Sequence, residues 1–185
     1  LPSSKVFELW ALRLVVEALA PGKRVVGVKL EENRSGFAVE FEGGLKIYYN
    51  VPYEKGRLTE ELRKMGLLSK KAFLRPDYVI EHNGKIIVAD AKYKEKLTTE
   101  DFGRIMAYMV DIATPMKTNG EELIGTLILL IEKGDQQDKG KQQPRISRAK
   151  MDGGLTTRYE LRIAHVNPET SFKGHNVNSI RKVLQ

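Results

Sequence analysis

Leu74-Arg75-Pro76-Asp77-Tyr78-Val79-Ile80-Glu81-His82-Asn83-Gly84-Lys85-Ile86-Ile87-Val88-Ala89-Asp90-Ala91-Lys92-Tyr93-Lys94 consists of two β-rich runs joined by Asn83-Gly84. That dipeptide favours a two-residue type I′ hairpin turn, whose central residues both need positive φ. The turn sets the register. With His82 facing Lys85, pairing runs outward through Glu81 with Ile86, Ile80 with Ile87, Val79 with Val88 and Tyr78 with Ala89, and so brings Asp77 opposite Asp90. Directly opposed residues have Cβ atoms about 4.5–5.5 Å apart, and like charges placed there destabilise a sheet. A cation is therefore expected between them. Side chains alternate along a strand, so Lys92 points to the same face as Asp90. The plainer alternative makes Asp77 a turn cap after Pro76 and Lys92 a solvated charge. Asp90 argues against it, because an acid ending the apolar run Ile86-Ile87-Val88-Ala89 needs a partner or a metal.

The 185 residues read most simply as one domain, residues 1–185, with room for a substantial core. No apolar run approaches the roughly 20 residues that span a bilayer, and no signal-peptide pattern opens the chain. A soluble cytoplasmic protein is the expectation. The first residue is Leu rather than Met, which points to a fragment of a longer protein. Without cysteine there is no disulfide, thiolate ligand or cysteine nucleophile. His82, His165 and His175 lack zinc-site spacing, so the remaining ligands are oxygens, which suit Mg2+ or Mn2+. The net charge is +7, and eleven basic against five acidic residues after Glu132 put +6 of it in the C-terminal part. That patch fits a phosphate backbone, with plain solubility charge as the alternative.

Ser4 to Ala20 predicts a largely buried helix, with Glu8 inside it either reaching solvent or pointing at a positive group. Strands are expected at Val25–Glu31, Gly36–Glu42 and Leu45–Val51, and a short helix at Leu58–Leu68. Thr98-Thr99-Glu100-Asp101 resembles a capping box that opens an amphipathic helix running to Pro115. On that helix Arg104 and Tyr108 are neighbours, four residues apart. Leu123–Ile131 reads as an interior strand and 134–150 as a basic loop. Arg158–Val166 reads as a last strand, and Asn176–Leu184 as a helix with Asn176 as N-cap.

Two acids and a lysine near a basic surface suit phosphodiester hydrolysis. The acids can hold a hard divalent cation, and the lysine can orient a water, stabilise developing charge or act as a base. Pro76-Asp77 and Asp90-Ala91-Lys92 resemble the two halves of the motif of the PD-(D/E)xK, or restriction-endonuclease-like, superfamily. The element order over about 4–131 resembles its α/β core, αβββαβ, a mixed sheet flanked by helices. Phe7-Glu8-Leu9-Trp10, Leu74-Arg75-Pro76-Asp77 and Asp90-Ala91-Lys92-Tyr93-Lys94 look most like the McrC-type nuclease subunits of methylation-dependent restriction systems.

The resemblance implies a magnesium-dependent DNA endonuclease of restriction type. Asp77, Asp90 and the Ala91 carbonyl would hold the metal, Lys92 would serve the water, and Glu8 would approach from the first helix. Related nucleases often carry Gln-x-x-x-Tyr on the helix after the motif. Arg104 and Tyr108 stand in that pattern here, with arginine suited to phosphate or to an exposed helix surface. Lys94, Lys139, Lys141, Arg145, Arg148 and Lys150, with Arg158 and Arg162, are the further expected DNA contacts. A homodimer fits double-strand cleavage, and a GTP-hydrolysing AAA+ partner goes with McrC-like proteins. A junction-resolving nuclease and a non-catalytic DNA-binding module are the competing readings.

Overall fold

α1 (Ser4–Leu19) is less buried than its apolar sequence predicts: one face, with Phe7, Ala11, Leu14, Val15 and Ala18, is enclosed while Val6 and Leu9 stay exposed. The helix ends at Pro21-Gly22, where Gly22 adopts φ 68°. The structure is a computed structural model that describes residues 4–31, 36–51, 62–67, 74–94, 97–113, 122–130, 149–153, 157–167 and 175–185. Among them, β1 (Val25–Leu30), β2 (Phe37–Phe41), β3 (Lys46–Tyr49), β4 (Tyr78–His82) and β5 (Lys85–Lys92) follow α1. Next come α2 (Thr99–Ala113), β6 (Glu122–Leu130), β7 (Ala149–Gly153), β8 (Thr157–Val166) and α3 (His175–Leu184).

The strands form one mixed sheet in the order β1-β2-β3-β4-β5-β6-β8-β7. β1 to β5 are an antiparallel meander. The chain then crosses through α2 to lay β6 parallel to β5, β8 lies parallel to β6, and β7 pairs antiparallel with β8. Within this α/β sheet, α1, β3 to β5, α2 and β6 appear in the expected αβββαβ order. The hairpin register is the one that Asn83-Gly84 dictates, from His82 with Lys85 to Tyr78 with Ala89. Both turn residues have positive φ, 50° and 71°, as type I′ requires.

Alternation along the hairpin separates two cores. Tyr78, Ile80, Ile87, Ala89 and Ala91 face α1, together with Ile180, Val183 and Leu184 of α3. Val79, Ile86 and Val88 face Ile105, Tyr108, Met109 and Ile112 of α2. Burying a side chain such as Ile87, fully enclosed here, contributes roughly 1.5–3 kcal/mol.

The capping box at α2 is real and is reinforced from outside. Asp101 Oδ2 accepts the Thr98 N–H at 2.8 Å, the Thr98 hydroxyl at 2.7 Å and the Lys94 ammonium at 2.5 Å, while the Asp101 N–H donates to Thr98 Oγ1 at 3.3 Å. Burial alone would raise the Asp101 carboxyl, but the Lys94 ammonium and the Thr98 donors outweigh it and bring it from 3.8 to about 2. Its stabilisation is therefore complete above the ordinary value and lost as pH falls toward 2. Asp101→Ala is expected to cost about 1–2 kcal/mol at neutral pH. Urea melts at pH 7 and near pH 2 check this, because the difference from wild type should shrink in acid.

Several local expectations need correction. The segment read as loop to Lys150 ends earlier, because Ala149 and Lys150 already belong to β7, which gains its hydrogen bonds from β8. Asn176 is not an N-cap: it lies inside α3, fully buried, where its side chain accepts the Asn167 N–H at 3.0 Å and donates to the Asn167 carbonyl at 2.7 Å. Of the helix expected at Leu58–Leu68, only 62–67 lies within the described residues, and 62–64 is helical.

Candidate active site

Asp77 and Asp90 meet at the open end of the hairpin, on the face that carries α2. Asp77 is half-buried just before β4 and Asp90 is 1% exposed near the end of β5. The Ala91 N–H donates to Asp77 Oδ2 at 2.8 Å, which ties the start of one strand to the end of the other. The Asn50 N–H donates to the Asp77 carbonyl at 2.9 Å and fixes the backbone there. Burial first, then the charge and hydrogen bonding of Asp90, push the Asp77 carboxyl up from 3.8 to about 8, against the opposing effect of the Ala91 N–H. Two acids placed like this are poorly compensated.

Lys92 supplies part of the compensation. Its ammonium forms an ion pair with Asp90 Oδ2, at a side chain only 13% exposed. That oxygen is enclosed and, among the described residues, has no hydrogen-bond donor besides the Lys92 ammonium that pairs with it. A buried carboxylate oxygen of this kind, beside a second acid, fits a hard cation, and the Ala91 carbonyl lies between Asp90 and Lys92 in the chain. Magnesium commonly takes only one or two carboxylates and keeps several waters. The set present suits that ion, although no group of three or more His, Asp or Glu side chains gathers among the described residues.

The two flanking helices reach the same end of the sheet. Glu8, 8% exposed on α1, accepts the Lys5 ammonium at 2.7 Å and the Tyr49 hydroxyl at 3.3 Å on Oε2. Of the two alternatives the sequence left open, it points at a positive group. Its charge contributes to raising Asp77, so it lies within electrostatic reach of the pair. From α2, Tyr108 packs against Val79 and Val88, and burial followed by the charge of Asp90 pushes its hydroxyl up. Arg104, one turn earlier, is exposed and donates to Glu100 at 2.7 Å, with the charge of Asp90 also reaching it.

Other expected DNA contacts are placed differently. Lys94 is committed to Asp101, at 2.5 Å. Arg162 is corrected outright: it is 6% exposed and donates to the Val183 carbonyl at 2.6 Å, closing the C-terminal end of α3. Lys139, Lys141, Arg145 and Arg148 lie outside the described residues. Lys150 and Arg158 lie on β7 and β8, with side chains outside the described atoms.

Sequence reasoning missed Lys5, Tyr49 and Tyr78 as neighbours of Glu8. Lys5 was detectable, because an oppositely charged residue three positions away shares a helix face. The tyrosines were not. Tyr49 lies 41 residues from Glu8 and Tyr78 lies 70 away, and only the folded sheet joins them.

No helix among the described residues is long and apolar enough to cross a membrane. No protein-family model matches the sequence. No curated protein matches it either. Among solved structures, the chain is similar to one in a tetradecameric assembly of Thermococcus gammatolerans McrB AAA+ hexamers with bound McrC. The identity is 12% and the TM-score 0.46, over 100% of this chain and 33% of that one. The chain thus spans about a third of the length of the structure it matches, and a likeness at this level carries no further argument.

Proposed function

We propose that this protein is a divalent-metal-dependent endonuclease that hydrolyses DNA phosphodiester bonds. The observation that carries this reading is the approach of Asp77 and Asp90 at one hairpin end, just beyond the Tyr78 and Ala89 pair, with the Lys92 ammonium against the buried Asp90. Asp77, Asp90 and the Ala91 carbonyl would hold Mg2+ or Mn2+, which when bound would supply polarisation of a phosphoryl oxygen and a more acidic water. Lys92, anchored by Asp90, presents its remaining N–H donors where a water or a developing phosphoryl charge would lie. Arg104 offers a guanidinium to a neighbouring phosphate, exchanging Glu100 for it. Tyr108, with its hydroxyl held protonated, offers a donor from the same helix.

A restriction or defence role, with an AAA+ partner and pairing of two chains for double-strand cleavage, is the finer form of the proposal. It rests on the McrC-like segments around Glu8, Asp77 and Lys92. The experiment incubates the protein with supercoiled plasmid, a branched DNA junction and RNA, with and without magnesium. Plasmid cleavage that needs magnesium is expected. Cutting confined to the junction would favour a resolving nuclease, and binding without cutting of any substrate would favour a binding module.

Affinity should also fall steeply with salt. Neutralising Lys139, Lys141, Arg145, Arg148 and Lys150 together should reduce the slope of log affinity against log salt by about one for each phosphate the variant no longer neutralises. Filter binding across a salt series checks this; a slope equal to the parent's would place the DNA elsewhere.

A further inference from the structure

Glu8 lies beside the acid pair but is held by other groups. Tyr78 fixes its position: the Tyr78 hydroxyl donates to the Glu8 backbone carbonyl at 2.5 Å, and Tyr78 directly follows Asp77 in the chain. The Tyr49 ring lies 6.0 Å from that of Tyr78 and its hydroxyl donates to Glu8 Oε2. The two tyrosines thus tie α1 and its carboxylate to the strand end that carries Asp77. Glu8 and Asp77 lie within electrostatic reach of each other, so a dication at the acid pair would also attract Glu8. The cation that Glu8 holds instead is Lys5.

The Lys5 ammonium sits 2.7 Å from Glu8 Oε2 and 5.7 Å from the centre of the Tyr49 ring. The Lys5 side chain is 58% exposed, whereas that of Glu8 is 11% exposed. The cation can therefore leave for solvent at little cost, while the carboxylate cannot follow it. Lysine suits such a role, being a hydrated point charge on a flexible stem. Lys5 also lies in the field of Asp77, so any cation at the acid pair meets its repulsion.

We propose that Lys5 is an internal counter-cation that competes with a divalent ion for Glu8, and so keeps Glu8 out of the ligand shell of a cation bound at Asp77 and Asp90. The inference rests on the metal-dependent reading of that site. Lys5 and Lys92 act alike, each facing one acid, but Lys92 is enclosed and stays, whereas Lys5 is exposed and exchanges. Removing the Lys5 charge frees Glu8 to join the other two carboxylates.

The test is calorimetric titration of the full chain with Mn2+ in the absence of nucleic acid. Wild type, Lys5→Met, Lys5→Gln, Lys5→Arg and Lys5→Met with Glu8→Gln are compared, each checked for fold by circular dichroism. Lys5→Met and Lys5→Gln should bind Mn2+ about tenfold more tightly, since a unit charge near a dication has been removed and an acid released. Lys5→Arg should bind as wild type does, and Glu8→Gln should abolish most of the gain. Unchanged or weaker binding in both neutral variants overturns the proposal, as does a gain that survives Glu8→Gln intact. Wild-type protein that binds no Mn2+ would sink the metal-dependent reading itself. Wild-type binding lost in Asp77→Asn, with both neutral Lys5 variants behaving as wild type, would sink only the role of Lys5.

Discussion

Asp90→Ala is expected to lower magnesium-dependent DNA cleavage by about a thousandfold or more while DNA binding persists. Asp90 is almost fully enclosed at 1% exposure, and it is both an acid of the opposed pair and the anchor of the Lys92 ammonium. One substitution therefore removes a proposed cation ligand and leaves Lys92 without its partner. Asp90→Asn keeps the shape and should lose activity similarly, which separates chemistry from misfolding. Lys92→Ala should lose a comparable factor, and Lys92→Arg should not restore it, because a planar guanidinium cannot replace a compact ammonium in an enclosed place. Rates on labelled duplex, paired with gel-shift affinities, check all four variants. Wild-type cleavage by Asp90→Ala would remove the site from the chemistry.

The second large effect concerns stability, and its sign is unusual for an aspartate. Burial and the neighbouring Asp90 charge raise the Asp77 carboxyl from 3.8 to about 8. The folded chain then holds a proton that the unfolded chain has released, so metal-free stability should fall as pH rises from about 4 to about 8. Allowing for the partial exposure of Asp77, the loss is on the order of 2–4 kcal/mol. A divalent cation bound to the ionised pair, as proposed, and to the native state alone would stabilise the fold by an amount that grows across the same window. Asp77→Asn should flatten the pH dependence of the metal-free protein and remove most of the gain from metal. Melting temperatures at pH 5, 6.5 and 8, with and without magnesium at about 5 mM, a concentration of the order that saturates weak sites, provide the comparison. A gain that is equal at all three pH values, or absent, counts against the opposed acids as the binding site.

What the sequence made legible follows from the range of the interactions involved. Asn83-Gly84 set the hairpin register because a type I′ turn leaves one pairing, and extending it beyond Tyr78 and Ala89 brought Asp77, Asp90 and Lys92 together. α1 was readable from its apolar run stopping at Pro21-Gly22, and α2 from its apolar period and the Thr98 and Asp101 cap, all local signals. The β7 strand was not, since Ala149–Gly153 has no alternating apolar pattern and owes its form to pairing with β8. Asn176 and Arg162 were misjudged for one shared reason. Each satisfies a backbone group supplied by a separate element, Asn167 or Val183, and the local pattern of an Asn or Arg does not reveal such a partner. The same holds for the tyrosines at Glu8.

Diffraction from crystals soaked in Mn2+, recorded at a wavelength where manganese scatters anomalously, tests the central claim most directly. An anomalous peak is expected, coordinated by the carboxylates of Asp77 and Asp90, next to the Ala91 carbonyl and facing Lys92, and it should vanish in Asp77→Asn. A map with no peak at the hairpin end, or with manganese bound only elsewhere on the protein, would contradict the assignment of this pair as the metal site.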